Sequence, residues 1–66
     1  MTRQTLRDRN SHILGYIDSD YNGRQVLRDR NYHILGYYDP TRDETQDRNY
    51  HVIGRGNILT SLLTDL

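Results

Sequence analysis

No cysteine, phenylalanine, tryptophan, alanine or lysine occurs in this sequence, and proline appears once. The missing cysteines exclude a disulfide framework, thiolate chemistry and a cysteine-type zinc site. That absence matters in a chain of 66 residues, because a domain this small leaves much of its surface in water and often needs such a staple. The apolar share is 33%, below that of an ordinary globular domain, so the expected core is thin and burial gained by self-association is the default remedy. No apolar run is long enough to span a bilayer. The first ten residues are polar, with Arg3, Arg7 and Arg9, and lack the apolar stretch of a secretory signal. The expectation is a cytoplasmic protein with no membrane partner.

What is present begins with charge. Nine arginines stand against nine acidic residues, for a formal net charge of zero. Such a balance gives no general attraction to nucleic acid or to anionic membranes. Arginine as the sole strong cation suits planar, bidentate pairing with carboxylates, and Asp adjoins many of the arginines in sequence.

The dominant signal is an internal repeat. Leu6-Arg7-Asp8-Arg9-Asn10-Ser11-His12-Ile13-Leu14-Gly15-Tyr16-Ile17-Asp18 is nearly reproduced by Leu27-Arg28-Asp29-Arg30-Asn31-Tyr32-His33-Ile34-Leu35-Gly36-Tyr37-Tyr38-Asp39. A third copy, Asp47-Arg48-Asn49-Tyr50-His51-Val52-Ile53-Gly54-Arg55, keeps the front half. The motif recurs after 21 and then 18 residues, so the second connection is the shorter one.

Each unit reads as a β-hairpin. Runs such as His12–Ile17 and His33–Tyr38 are β-branched and aromatic, which favours strands. The Arg-Asn pairs predict tight turns, with Asn supplying the left-handed residue and Asp8, Asp29 and Asp47 accepting hydrogen bonds from the turn backbone. Asn22-Gly23 and Pro40 mark the joints between units. The predicted fold class is all-β: one domain, an antiparallel meander of about six strands, open or curled, with units at 4–18, 24–39 and 44–56. Asn57 can cap a short C-terminal α-helix over 57–66, whose Ile58, Leu59, Leu62, Leu63 and Leu66 form one apolar stripe. So short a helix needs a surface to dock on, its own sheet or a sister subunit.

Strict alternation puts Ile13, Ile34, Val52 and the three following glycines on one face of the sheet. It puts Leu14, Leu35 and Ile53, with Tyr16, Tyr37 and the three histidines, on the other. Both faces then carry an apolar residue at the strand centre, and these six aliphatic residues make the expected core. Glu44-Thr45-Gln46, polar where the other units have Leu6 and Val26-Leu27, reads as an edge or exposed strand.

The plan of Asp-x-Asn, a Gly-centred strand and a following Tyr-x-Asp resembles the YD-type hairpin repeats of large bacterial surface and toxin-shell proteins. The run Gly54-Arg55-Gly56-Asn57-Ile58-Leu59 resembles the helix start of small bacterial tandem β-hairpin proteins. Those repeats commonly place Gly just after the turn Asn, where this chain has Ser11, Tyr32 and Tyr50. The resemblance implies a scaffold, and it brings neither catalytic residues nor a cofactor.

The residues themselves suggest no catalysis. His12, His33 and His51 hold equivalent positions, but with one strand between them consecutive histidines lie about 9.5 Å apart in a meander. A shared metal needs ligands about 2 Å from itself. No nucleophile elbow, phosphate loop or dinucleotide fingerprint is present. The expected function is a non-catalytic structural or protein-interaction module that forms a homo-oligomer. Its contact residues are expected to be Tyr37, Tyr38, Leu59, Leu62, Leu63 and Leu66, with no metal and no cofactor. The alternative is a small β-sheet nucleic-acid binder using Tyr and Arg, against which the Asp beside most of the arginines argues.

Overall fold

A computed structural model describes residues 2–63. It contains six strands: β1 (Thr2–Arg7), β2 (Ile13–Ser19), β3 (Gln25–Asp29), β4 (Ile34–Asp39), β5 (Glu44–Asp47) and β6 (Val52–Arg55). Each pairs antiparallel with its neighbour in sequence, giving one open sheet in the order β1-β2-β3-β4-β5-β6. The predicted meander is therefore the fold.

Four of the turns are one device. In the first, the Asp8 N–H donates to the His12 carbonyl and the Ser11 N–H to the Asp8 carbonyl, both at 3.0 Å. The Asp8 carboxylate then accepts the backbone N–H groups of Asn10 (2.8 Å) and His12 (3.0 Å). Asp29 and Asp47 repeat this pattern, and so does Asp20 in the Asn22-Gly23 joint. This is a three-residue hairpin loop, which requires a left-handed third residue. That residue is not the Asn, as the sequence suggested, but the one after it: Ser11 (φ 66°), Gly23 (φ 81°), Tyr32 (φ 67°) and Tyr50 (φ 67°). A type I turn leaves the Asn right-handed, and the strain falls one residue later.

All three hairpins carry a bulge at the same place. The register slips between Leu6 and Arg7, between Leu27 and Arg28, and between Thr45 and Gln46. Two residues of the returning strand then oppose one of its partner, and counting by twos fails across that point. Ile34 consequently pairs with Arg28, while its neighbour Leu35 packs on the opposite side, against the core.

The core is accordingly not the six aliphatic residues expected from alternation. It consists of Ile17, Leu27 and Leu59, with Leu6, Leu35, Tyr38, Leu62 and Leu63 packed around them. Val52 and Ile53 are exposed. The C-terminal segment supplies much of this packing, and its described residues form a single 3-10 turn, Leu59–Leu62, rather than an α-helix. Eclipsed i, i+3 side chains let Leu59 and Leu62 descend on the sheet together.

Thr45 anchors that turn. Its hydroxyl donates to the Gly56 carbonyl (2.6 Å) and accepts the Ile58 N–H (3.0 Å), and the side chain is fully buried. The strand read as an edge is thus interior, between β4 and β6. Thr45 occupies the place of Leu6 and Leu27 in the other hairpins, so the third copy is polar where the chain must be tied down. Asn57 assists from just before the turn: its side chain accepts the Leu59 N–H (3.3 Å) and donates to Gln25 on β3 (2.7 Å). Gly36 forms the floor beneath. A Cβ there would collide with Leu62 and with the backbone oxygen of Gln46.

Candidate interaction surface

The register assigns the two faces. The 3-10 turn covers the face carrying Ile17, Leu27, Tyr38 and Thr45. The other face carries Arg3, Asp18, Val26, Tyr37, Gln46 and Val52 in one cross-strand row, and Thr5, Tyr16, Arg28 and Ile34 in the next.

Two tyrosine stacks stand on this second face. Tyr16 of β2 stacks on Tyr32 with ring centroids 4.9 Å apart and planes 2° from parallel. Tyr37 of β4 stacks on Tyr50 at 4.7 Å and 6°. In each pair a strand tyrosine of one unit meets the turn tyrosine of the next. The deviations from the repeat fall where that rule has no partner. Ser11 stands in the first turn and Arg55 on the last strand, and neither position has a tyrosine of another unit to meet among the described residues. The neighbouring phenol in each stack, Tyr32 or Tyr50, raises the phenol pKa of Tyr16 and of Tyr37.

Beside the first stack lies an ionic knot. Asp18 accepts from Arg3 Nε at 2.7 Å and from Arg28 at 2.6 Å. The Arg3 guanidinium lies nearly equidistant from the Tyr16 and Tyr32 rings, at 5.1 and 5.3 Å. Arg3, followed by Arg28, holds the Asp18 carboxyl below the ordinary carboxylate range. With Thr2, these three residues line an open depression of about 440 Å³. Its one carboxylate is already held by two guanidinium groups.

The expected pairing of Asp with its neighbouring Arg does not occur in the turns. Asp8, Asp29 and Asp47 face inward to the turn backbone, and the N–H groups of His12, His33 and His51, followed by those of the Asn residues, lower their pKa values. Among the described residues, the arginines within salt-bridge distance of a carboxylate are Arg3 and Arg28. The three histidines lie 3.3 to 3.6 Å from the Asp of their own turns and are well exposed. No group of three or more metal-ligating side chains occurs among the described residues.

The sheet's outer edges differ. β1 presents Arg3 and Arg7, charges of the kind that blunt an edge. β6 is flanked by exposed apolar residues: Val52 (52% exposed), Ile53 (40%) and Ile58 (37%). Ile58 lies over Gly54 on the covered face. Among the described residues, no strand pairs with the outer side of β6.

The residues expected to form a subunit contact are not brought together. Tyr37 stands in its stack on the open face. Tyr38 packs on the core side and donates from its hydroxyl to Asp43 (2.8 Å). Leu59 is 1% exposed in the chain's own core, with Leu62 and Leu63 beside it. Leu66 lies outside the described residues. The exposure of Val52 and Ile53, which the sequence places in the core, was not legible because the bulge hides which residues of Val52-Ile53-Gly54 lie outward. The tyrosine ladder had a visible signal, the substitutions Ser11 and Arg55 at the ends of the array.

No helix among the described residues is long and apolar enough to cross a membrane. No family model, no curated protein and no solved structure matches the chain.

Proposed function

We propose that this chain is a non-catalytic structural or protein-interaction module that self-associates through its sheet. The observation that carries the reading is the unpaired β6 edge, flanked by Val52, Ile53 and Ile58. An exposed strand edge presents unmet N–H and C=O groups, and apolar side chains beside it reward their burial. The C-terminal segment contributes Ile58 to this surface, while Leu59, Leu62 and Leu63 pack in the chain's own core. Sedimentation equilibrium over a wide concentration range tests the proposal. A mass that rises with concentration supports it, and a constant monomer mass sinks it.

One observation favours a second reading. Arg9, Arg30 and Arg48 occupy equivalent turn tips with no carboxylate partner within 4.0 Å among the described residues, and Tyr32 and Tyr50 are more than half exposed on the adjoining face. Cationic tips beside aromatic rings suit single-stranded nucleic acid. Binding of this kind is strongest at low salt, so a mobility-shift assay with oligonucleotides that shows no complex there removes it.

A further inference from the structure

Building on the self-association reading, we infer that the β6 edge takes the β6 edge of a second copy in a two-fold antiparallel pair, and that the array does not grow head to tail. If this chain were to grow as its own units do, β1 of a second copy would add to β6 in the register that β3 takes on β2 and β5 takes on β4. Those interfaces set Tyr16 opposite Arg28 and Tyr37 opposite Gln46. The same register would set Arg55 opposite Arg7 of the second copy, a like-charge cross-strand pair. It would also bring Arg55 to Ser11 of the second copy, where the internal junctions have a tyrosine stack.

Length argues the same way. The β2–β3 ladder pairs five residues and β4–β5 pairs four. β6 stops at Arg55, because Gly56 turns away with its N–H on the Asp43 carbonyl and its C=O on Thr45. In the head-to-tail register, the strand would end after Gly54 and Arg55.

Two-fold pairing of β6 with itself avoids these conflicts. Centred between Ile53 and Gly54, it sets Val52 opposite Arg55 of the second copy and Ile53 opposite Gly54, so the two Arg55 side chains lie at opposite ends. The apolar residues at issue are then covered on both faces. Four residues a side make a small interface, so the product is a concentration-dependent dimer rather than an obligate one. A two-fold contact closes on itself, and growth stops at two.

Light scattering behind size exclusion, run from dilute to concentrated protein, reads the outcome for the wild type, Ile53→Lys and Val52→Lys. Both variants place a charge on an already exposed side chain, and an unchanged far-ultraviolet spectrum and melting point certify their fold. The expected result is a wild type that passes from monomer to dimer and no further, with loss of the dimer in both variants. A series continuing to trimers and longer species overturns the two-fold geometry while leaving self-association standing. A dimer untouched by both variants overturns the β6 assignment in the same way. A wild type monomeric at every concentration overturns this inference together with the reading it rests on.

Discussion

Tyr32 stacks on Tyr16 while its own backbone sits at a φ of 67°. The left-handed conformation costs an L-residue about 1–2 kcal/mol, and a parallel aromatic pair returns about 0.5–1.5 kcal/mol beyond its burial. The turn and the ladder therefore oppose each other at one residue. Tyr32→Ala keeps the strain and loses the stack, and is expected to destabilise by about 1–2 kcal/mol. Tyr32→Gly loses the stack but relaxes the backbone, and should lie about 1 kcal/mol above the alanine variant. Urea titrations of both read the difference, and an alanine variant as stable as the glycine one would contradict this account.

Thr45 makes the second test. Thr45→Val keeps the shape but leaves the Gly56 carbonyl and the Ile58 N–H without their partner. The expected loss is about 1–3 kcal/mol, read as a lower denaturation midpoint. Native-state hydrogen exchange should show the Ile58 amide losing protection first.

Gly36 lies under Leu62, and Gly36→Ala would push a methyl group into Leu62 and the Gln46 carbonyl. Overpacking of this kind costs about 1–3 kcal/mol. Adding Leu62→Ala should not restore stability, because the backbone oxygen remains in the way. Full rescue by the double variant, measured by thermal melting, would place the conflict on the leucine alone.

The turn aspartates set the acid limit. Backbone donors lower the pKa values of Asp8, Asp29 and Asp47 in the fold, and Arg3 lowers that of Asp18. A carboxyl group depressed on folding contributes stability above its unfolded pKa and loses it as pH falls through the folded one. The melting temperature should therefore hold from neutral pH down to about 5 and fall below about 4, the ordinary carboxylate range. Asp29→Asn retains an acceptor oxygen that does not titrate there, so its melting curve should depend less on pH in that window.

The sequence displayed the repeat, the strand content and the order of the meander, because duplication copies local propensity along with residues. It also displayed the turn role of Asp8, Asp29 and Asp47. It hid what depends on the bulges. One extra residue at Ile34-Leu35 reverses the face assignment counted across it, so Leu35 packs on the core side and Ile34 on the other. The equivalent bulge at Ile53 puts Val52 on the open face, and Ile53, on the outermost strand, stays exposed. Thr45 was misread for a different reason. A polar residue in a strand ordinarily means solvent, and here it means two backbone groups of a segment that follows eleven to thirteen residues later. The neighbouring charges of Asp and Arg misled because a turn aims the carboxylate at its own backbone before any side chain can reach it.

The middle hairpin alone carries both halves of the ladder, Tyr32 at its turn and Tyr37 on its strand. It is compatible with a copy of itself on either side, whereas the first and last hairpins each accept a neighbour on one side. Insertion of a further middle hairpin would widen the sheet by two strands and one stack while leaving the Arg-rich β1 edge and the Thr45 anchorage untouched. The number of strands in a protein of this plan is thus a quantity that evolution, or a designer, can change in steps without redesigning either end.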